Sequence, residues 1–162
     1  MYTFVPRISH ININILIIMK KVIALITALL LTFGAYADDQ QITFGELPKN
    51  AKIFVLTYFK DVPFKEIVIE RRASLVQYEV KLENGLKLQF DRTGLCTEVE
   101  AKRGSVPEEV VPKKIVATIT QYFPDRLVKK FENNGRMYEV NLDNGVTLTF
   151  SKALRLVDVD DE

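Results

Sequence analysis

The sequence contains few of the residues on which enzymatic chemistry most often depends. Its 162 residues include no tryptophan, one histidine (His10) and one cysteine (Cys96). His10 lies in an amino-terminal segment that we expect to be removed, so the mature chain has no histidine for a Ser-His or Cys-His pair or for a zinc site built from His and Cys. No glycine-rich phosphate loop or G-x-S-x-G motif occurs. A lone cysteine also excludes an internal disulfide, so stability has to come from core packing. We expect no catalytic residue, no metal site and no cofactor.

The amino-terminal 37 residues have the pattern of an export signal. Lys20 and Lys21 form a positive region, residues 22–33 are apolar but too few to span a bilayer, and an A-x-A site ends at Ala37. The alternative, a buried core helix, does not explain this order of features. We expect translation to start at Met19 and cleavage to follow Ala37, so that the mature chain begins in the periplasm or outside the cell.

The charge of the expected mature chain excludes two classes of partner. Removal of residues 1–37 takes away three of the 22 basic residues and none of the 21 acidic ones, which leaves a net charge of −2. Binding of nucleic acid requires a basic stripe, and binding to an anionic membrane surface requires a basic patch. No cysteine follows the apolar run as a site for a lipid anchor. We expect neither nucleic-acid binding nor a stable membrane anchor after signal removal.

A thirteen-residue pattern occurs twice, sixty residues apart. YEVKLENGLKLQF occupies residues 78–90 and YEVNLDNGVTLTF occupies residues 138–150. Apolar and polar residues alternate on both sides of each Asn-Gly pair, which predicts two β-hairpins. A three-residue turn places apolar residues opposite apolar residues in both copies. Gly85 and Gly145 then take the left-handed conformation that side chains with a Cβ tolerate poorly.

Each predicted hairpin is preceded by a helix and flanked by two further strands. The helices are predicted over residues 47–59 and 111–123, where a proline near the start is followed by apolar residues at i, i+3 and i+4. The spacing places four aromatic residues at the helix ends in the core: Tyr58, Phe59, Tyr122 and Phe123. The additional strands are predicted near residues 64–72, 95–100, 126–132 and 154–159.

These elements define two tandem repeats, each with one helix and four strands. We assign residues 38–103 to the first repeat and 104–162 to the second. One unit of about 60 residues is marginally stable alone, whereas two units can join their sheets and share a core. The sequence predicts an α+β fold in which both helices pack on one face of a continuous antiparallel sheet, while the other face is left to solvent or a partner.

The doubled pattern resembles a known family. An "LP" followed by a helix ending in "YF", then "YEV.L.NG..L.F" and "D..G", given twice after a signal peptide, is similar to the PepSY-like periplasmic proteins with a beta-lactamase-inhibitor-like fold. The resemblance covers about residues 42–160. It implies a tandem α+β repeat with an open sheet face for protein contact. Two positions depart from the family pattern: Cys96 stands where a tryptophan is common, and residues 151–156 lack the second glycine.

The polar side of the two hairpins is the candidate contact surface. Its residues carry charges, amides and hydroxyls, which suit a protein or peptide better than an apolar small molecule. They are Glu79, Lys81, Lys87, Gln89, Glu139, Asn141, Thr147 and Thr149.

Three other features have a chemical and a structural interpretation. Cys96 is either a reactive thiol or a small hydrophobic residue near the start of a strand. The equivalent residues Glu79 and Glu139 are either an acid–base pair or part of a solvated face. The tail VDVDDE, residues 157–162, either binds a hard cation or keeps the chain soluble. The structural interpretation is favoured in each case.

The sequence therefore favours an exported, non-catalytic binding module with an unidentified protein or peptide partner. The resemblance implies an inhibitor-like role toward an extracytoplasmic enzyme or peptide. One alternative is a structural protein of the cell envelope that associates with itself through sheet edges. A less favoured alternative is a hydrolase that uses Cys96 or the pair Glu79 and Glu139.

Overall fold

The structure, a computed structural model, describes residues 38–72 and 74–161. The predicted export signal, including the start at Met19 and the cleavage after Ala37, lies outside the described residues. Among those described, no helix is both long and apolar enough to cross a membrane.

Within the described residues, nine strands and two α-helices make up the fold, together with two short 3-10 turns that precede the helices. The helices are α1 (Lys49–Tyr58) and α2 (Lys113–Tyr122). The strands are β1 (Asp38–Gln41), β2 (Phe64–Arg72), β3 (Leu75–Leu82), β4 (Leu86–Asp91), β5 (Cys96–Ala101), β6 (Val128–Asn133), β7 (Met137–Leu142), β8 (Val146–Ser151) and β9 (Leu156–Asp161).

The strands form one antiparallel sheet in the order of the sequence, β1 to β9. The predicted α+β class is therefore confirmed, and β5 and β6 join the two repeats edge to edge. Strand β1 was not predicted. Its sequence, DDQQ, has no apolar residue and so no alternation; it is a strand because it pairs with β2, where Gln41 lies opposite Val68.

Both hairpins have the predicted register. Tyr78 lies opposite Phe90 in the first copy, and Tyr138 lies opposite Phe150 in the second. The turn glycines Gly85 and Gly145 have φ angles of +92° and +90°. The three-residue turn with a left-handed glycine is confirmed in both copies.

The turn after each hairpin has the same left-handed conformation with different residues. Gly94 has φ +82° in the first copy, and Leu154, sixty residues later, has φ +57°. A leucine in this region costs about 1–2 kcal/mol. The missing second glycine thus changes the residue but not the path of the chain.

Both helices pack against the same side of the sheet. Ala51 and Val55 of α1 and Ile115 and Ile119 of α2 belong to one continuous apolar core. The largest fully buried side chains of this core come from the repeated pattern and from α2: Phe90, Phe150, Leu82, Leu88, Ile115 and Leu148. The shared core confirms the predicted arrangement of the layers.

The prediction for the helix-end aromatics is only half right. Phe59 is buried and Phe123 partly buried, but Tyr58 is 42% exposed and Tyr122 is 62% exposed. The buried stripe of α1 follows Ala51, Val55 and Phe59, so that Tyr58 falls at its edge.

Candidate recognition face

The eight residues predicted as a contact surface lie on one side of the sheet, which we call the open face. In the register, Glu79 pairs with Gln89 and Lys81 with Lys87, and the second hairpin repeats this arrangement with Glu139, Asn141, Thr147 and Thr149. Val80 and Val140, which alternate with these residues, are fully buried in the core beneath the helices. Because successive side chains of a strand point to opposite sides, the open face points away from both helices.

Side chains of the open face cover one another in the first hairpin. The Lys81 ammonium lies 2.8 Å from Oε2 of Glu66 and 3.1 Å from Oε1 of Glu79. The Gln89 amide donates a hydrogen bond of 3.3 Å to Glu79. Glu79 is consequently only 9% exposed although it lies opposite to the helices. The surface is an ordered polar layer rather than a set of separate solvated side chains.

A second ionic cluster continues this layer across the junction of the repeats. Lys87 of β4 lies 2.6 Å from Glu100 and 3.0 Å from Glu98, both of β5. Lys130 of β6 lies 2.9 Å from Glu98 and 2.8 Å from Glu132. Glu98 thus receives one lysine from each repeat.

Sequence reasoning missed four residues of this second cluster. They are Glu98, Glu100, Lys130 and Glu132, which lie on the connecting strands β5 and β6. Period-two alternation in TEVEA and KKFE was the signal available, since Val99 and Phe131 alternate with the charged residues. Which lysine reaches which carboxylate depends on the pairing of β5 with β6, and this pairing is not encoded in either strand alone.

The ionic contacts shift the pKa values of their members. Burial alone raises the pKa of Glu98, but the hydrogen bonds from Lys130 and Lys87 outweigh it and hold that pKa below its usual range. Burial alone lowers the pKa of Lys87, and contacts with Glu100 and Glu98 reverse this, so that the net shift is upward. Burial alone also lowers the pKa of Lys130, but contacts with Glu132 and Glu98 outweigh this effect, so that the pKa is raised. All three groups are therefore charged near neutral pH.

The half of the open face formed by the second hairpin has a different chemistry. Asn141 donates a hydrogen bond of 2.8 Å to the Thr147 hydroxyl, and Asn134 donates one of 3.3 Å to Glu139. Lys81 and Lys87 of the first copy correspond to Asn141 and Thr147 here. The first hairpin therefore presents ion pairs, whereas the second presents amide and hydroxyl groups together with the carboxylate of Glu139.

Comparison with known proteins places the chain in a family. The family described as "Putative beta-lactamase-inhibitor-like, PepSY-like" matches residues 39–96 and 76–158. The chain belongs to this PepSY-like family. The match covers both hairpins and all nine strands except the ends of the two edge strands. No curated protein is significantly similar in sequence.

Solved structures of similar sequence share the fold. A "putative periplasmic protein" of the DUF2874 family from Bacteroides vulgatus is 35% identical, with a TM-score of 0.72 over 79% of this chain and 100% of that chain. A "putative calcium-regulated periplasmic protein" from Bacteroides thetaiotaomicron is 34% identical, with a TM-score of 0.74 over 76% and 98%. A further "putative periplasmic protein of unknown function" from Bacteroides vulgatus is 26% identical, with a TM-score of 0.70 over 76% and 99%.

The geometry of this PepSY-like chain does not assemble the glutamate pair considered above. Glu79 of β3 and Glu139 of β7 lie in the same cross-strand row, with Gln89, Glu98 and Glu132 between them. Four strand spacings of about 4.8 Å put them about 19 Å apart. An acid–base pair requires a separation of a few ångströms, so these two residues cannot act as one.

Cys96 lacks the surroundings of a reactive thiol. It is half-buried, and its Sγ donates a weak hydrogen bond of 3.6 Å to the Glu98 carbonyl. Burial raises the pKa of Cys96 to about 12. A thiol with this pKa is almost entirely protonated at neutral pH, whereas the thiolate is the nucleophile.

Acidic residues in the described part of the chain also form no metal site. Within residues 38–72 and 74–161, no three Cys, His, Asp or Glu side chains come together in a geometry that could hold an ion. This includes Asp158, Asp160 and Asp161 of the acidic tail, which are strand residues of β9 rather than members of a loop.

The cavities on the helix side of the sheet include one between the repeats and one beside α2. One, of about 310 Å³, is bordered by Cys96, Phe54 and Phe131 between the repeats. The larger, of about 470 Å³, lies beside α2 and is lined by Glu108 and Val128. The equivalent residues of the first repeat, Phe44 and Phe64, are aromatic rings stacked at 5.2 Å. Loss of this aromatic pair accounts for the space in the second repeat.

Proposed function

We propose that this protein is an exported, non-catalytic binding module of the periplasm whose open face contacts a protein or peptide partner. One observation carries the proposal. The apolar side of the sheet is sealed by α1 and α2, while the polar side presents an ordered layer of charges and amides. Periplasmic location is supported by the similar proteins described as periplasmic and by the export pattern of the sequence.

The two halves of the open face suit different parts of one partner. The ion pairs of Lys81, Lys87 and Lys130 are already satisfied internally, so a partner gains little from breaking them. The hydroxyls of Thr147 and Thr149 lie on the half formed by the second hairpin, where a partner can form hydrogen bonds without separating an ion pair. We therefore place the centre of the contact at β7 and β8, with the charged half as its rim.

The family description supports an inhibitor-like role, in which the face covers part of an extracytoplasmic enzyme or binds its peptide substrate. Calcium is not part of the proposal, although one similar protein is described as calcium-regulated, because no three carboxylates of the described residues come together as ligands. A hydrolase finds no support in the separation of Glu79 and Glu139 or in the raised pKa of Cys96.

A pair of double variants tests the proposal. Thr147→Tyr with Thr149→Tyr adds two bulky side chains to the part of the open face formed by β8, without the ion pairs that a lysine there would form with Asp158 and Asp160 on β9. Thr57→Tyr with Thr120→Tyr adds the same bulk to the exposed sides of α1 and α2, where each hydroxyl bonds only to its own helix. Each variant and the wild-type protein are used to capture partners from a periplasmic extract, and the bound proteins are quantified by mass spectrometry.

We expect the open-face variant to lose its specific partner and the helix variant to retain it. Equal recovery by all three proteins, or loss only in the helix variant, would contradict the proposal. Circular dichroism and the denaturation midpoint of each variant establish that the fold is retained.

A further inference from the structure

Strand β9 is an edge strand with free hydrogen-bonding groups. Within the described residues it pairs with β8 on one side and with no strand on the other. Its Val159 N–H donates to the carboxylate of the adjacent Asp158, at 3.0 Å. In an antiparallel ladder, alternate residues of an edge strand direct their backbone groups away from the neighbouring strand. Val159 is such a residue, and its amide has only a local side-chain acceptor.

The first repeat shows what the equivalent strand binds. Strand β5 lies sixty residues before β9, and its residues Glu98, Val99 and Glu100 correspond to Asp158, Val159 and Asp160. In β5 these residues pair with Glu132, Phe131 and Lys130 of β6. Val99 is completely buried beside Phe131, whereas Val159 is 46% exposed. Among the described residues, no strand therefore covers the edge of β9 as β6 covers β5.

The charges at this edge are also unmatched. In β5, the ammonium of Lys130 contacts Glu98 directly, and Lys87 of β4 contacts both Glu98 and Glu100. In the second repeat, Thr147 replaces Lys87, and neither Asp158 nor Asp160 takes part in an ion pair within the described residues. Compared with β5, the described edge of β9 is thus without a neighbouring strand that carries a lysine.

The same charges disfavour pairing between two copies of this chain. An antiparallel contact of β9 with another β9 would bring aspartates of both strands together. The other edge strand, β1, has the sequence DDQQ and offers no lysine either. Like charges opposite each other destabilise a strand pair. The edge chemistry thus selects a basic segment from another protein.

We propose that the edge of β9 binds an extended peptide segment that adds a tenth, antiparallel strand to the sheet. An apolar residue of the segment covers Val159, and a lysine beside it lies opposite Asp160 and contacts Asp158. Backbone hydrogen bonds to Val159 supply affinity, and the alternation of lysine with an apolar residue supplies selectivity. This proposal concerns the edge of the sheet and does not rest on the function proposed for the open face.

The chain's own β6 provides the probe for a test. A synthetic peptide of residues 126–134 with Glu132→Lys, RLVKKFKNN, carries the apolar residue flanked by lysines. Its matched control, RLVKEFENN, replaces the two flanking lysines by glutamate. Each peptide is titrated into the ¹⁵N-labelled full chain, and backbone amide shifts are followed by NMR.

We expect the basic peptide to shift the amides of β9 and β8, with Val159 among the most affected, and the control peptide to leave them unchanged. Two variants localise the binding. Val159→Pro removes the outward N–H while an edge strand tolerates proline. Asp158→Asn with Asp160→Asn removes two ion pairs, which should weaken binding about tenfold at low salt. Asp61→Asn with Asp125→Asn, at exposed positions outside β9, is the control and should bind as wild type.

Equal affinity for the two peptides, absence of binding at millimolar peptide, or shifts confined to the open face or the helices would overturn the proposal. A dimer in light scattering that disappears in Val159→Pro would also overturn it, in favour of self-association. If Val159→Pro does not fold, the double aspartate variant decides the question, because it leaves the backbone of β9 unchanged.

Discussion

At the scale of single residues, Gly94 is a position at which a turn packs directly against the start of a helix. Asp91 builds the turn by accepting hydrogen bonds from the backbone N–H of Thr93 and of Leu95, at 2.8 Å and 2.9 Å. A Cβ added at Gly94 would lie 2.7 Å from the backbone nitrogen of Ala51 and 2.8 Å from Cβ of Pro48. The start of α1 therefore rests directly on this glycine.

We predict that Gly94→Ala destabilises the protein far more than Gly104→Ala. Both glycines have positive φ, +82° and +67°, but a Cβ at Gly104 meets no atom within 4 Å. The conformational cost of about 1 kcal/mol is common to both, and overpacking against α1 adds about 1–3 kcal/mol at Gly94 alone. Urea unfolding of the two variants measures this difference. Equal losses of unfolding free energy would show that α1 does not rest on the turn.

Sequence reasoning succeeded at this scale where the answer depends on local chemistry. The left-handed turn glycines Gly85 and Gly145 were predicted because a three-residue hairpin turn demands that conformation. It failed where the answer depends on neighbours in space. Glu79 is nearly buried because Lys81 and Gln89 contact it, and Tyr122 is exposed because the core ends before it.

At the scale of elements, the ionic cluster centred on Glu98 connects the two repeats on the open face. Its members come from β4, β5 and β6, and the pKa of Glu98 is lowered although burial opposes this. A carboxylate whose pKa is lower in the folded than in the unfolded state contributes stability at pH values above its unfolded pKa. That contribution is lost as the pH falls through the folded pKa.

Because of this cluster, we predict that the free energy of unfolding of Glu98→Gln falls less steeply at acidic pH than that of the wild-type protein. Wild-type stability should fall between about pH 5 and pH 3, since the unfolded pKa of a glutamate is about 4.3. In Glu98→Gln part of this fall should disappear, although the variant is less stable at neutral pH because Lys87 and Lys130 lose a partner. Urea unfolding at a series of pH values measures the slope.

Asp61→Asn is the control for this experiment, because Asp61 is exposed on the loop after α1. Its profile should run parallel to that of the wild-type protein. If Glu98→Gln also runs parallel to the wild type, the lysines do not stabilise the charged form of Glu98.

The alternation of apolar and polar residues and the turn residues predicted most of the secondary-structure elements. The elements and registers that they did not predict depend on contacts between distant parts of the chain. The hairpins β3–β4 and β7–β8 were predicted with their register, because apolar residues must share one face. Strand β1 escaped prediction because its polar sequence becomes a strand only through contact with the edge of β2. The join between β5 and β6 was predicted only as a continuous sheet, since its register is set by packing between the repeats.

At the scale of the whole molecule, duplication has produced two halves with the same path and different surfaces. The first half has ion pairs on the open face and an aromatic pair, Phe44 and Phe64, beside its helix. The second half has amides and hydroxyls beside Glu139 on the open face, a cavity beside α2 and, within the described residues, an uncovered edge at β9. We therefore propose that contact with a partner depends on the second half more than on the first.

The proposed function requires that one side of the sheet is sealed by helices and that the other is accessible to a macromolecule. Adjacent residues of β8 test this claim, because Leu148 is fully buried while Thr149 belongs to the open face. In a Cys96→Ala background, Leu148→Cys and Thr149→Cys are treated with a polyethylene-glycol maleimide under native conditions, and gel shift measures the rate of modification. We predict rapid modification of Thr149→Cys, and modification of Leu148→Cys only after unfolding in urea. Protection of Thr149→Cys in the folded protein would contradict the account, because it would show the open face to be covered.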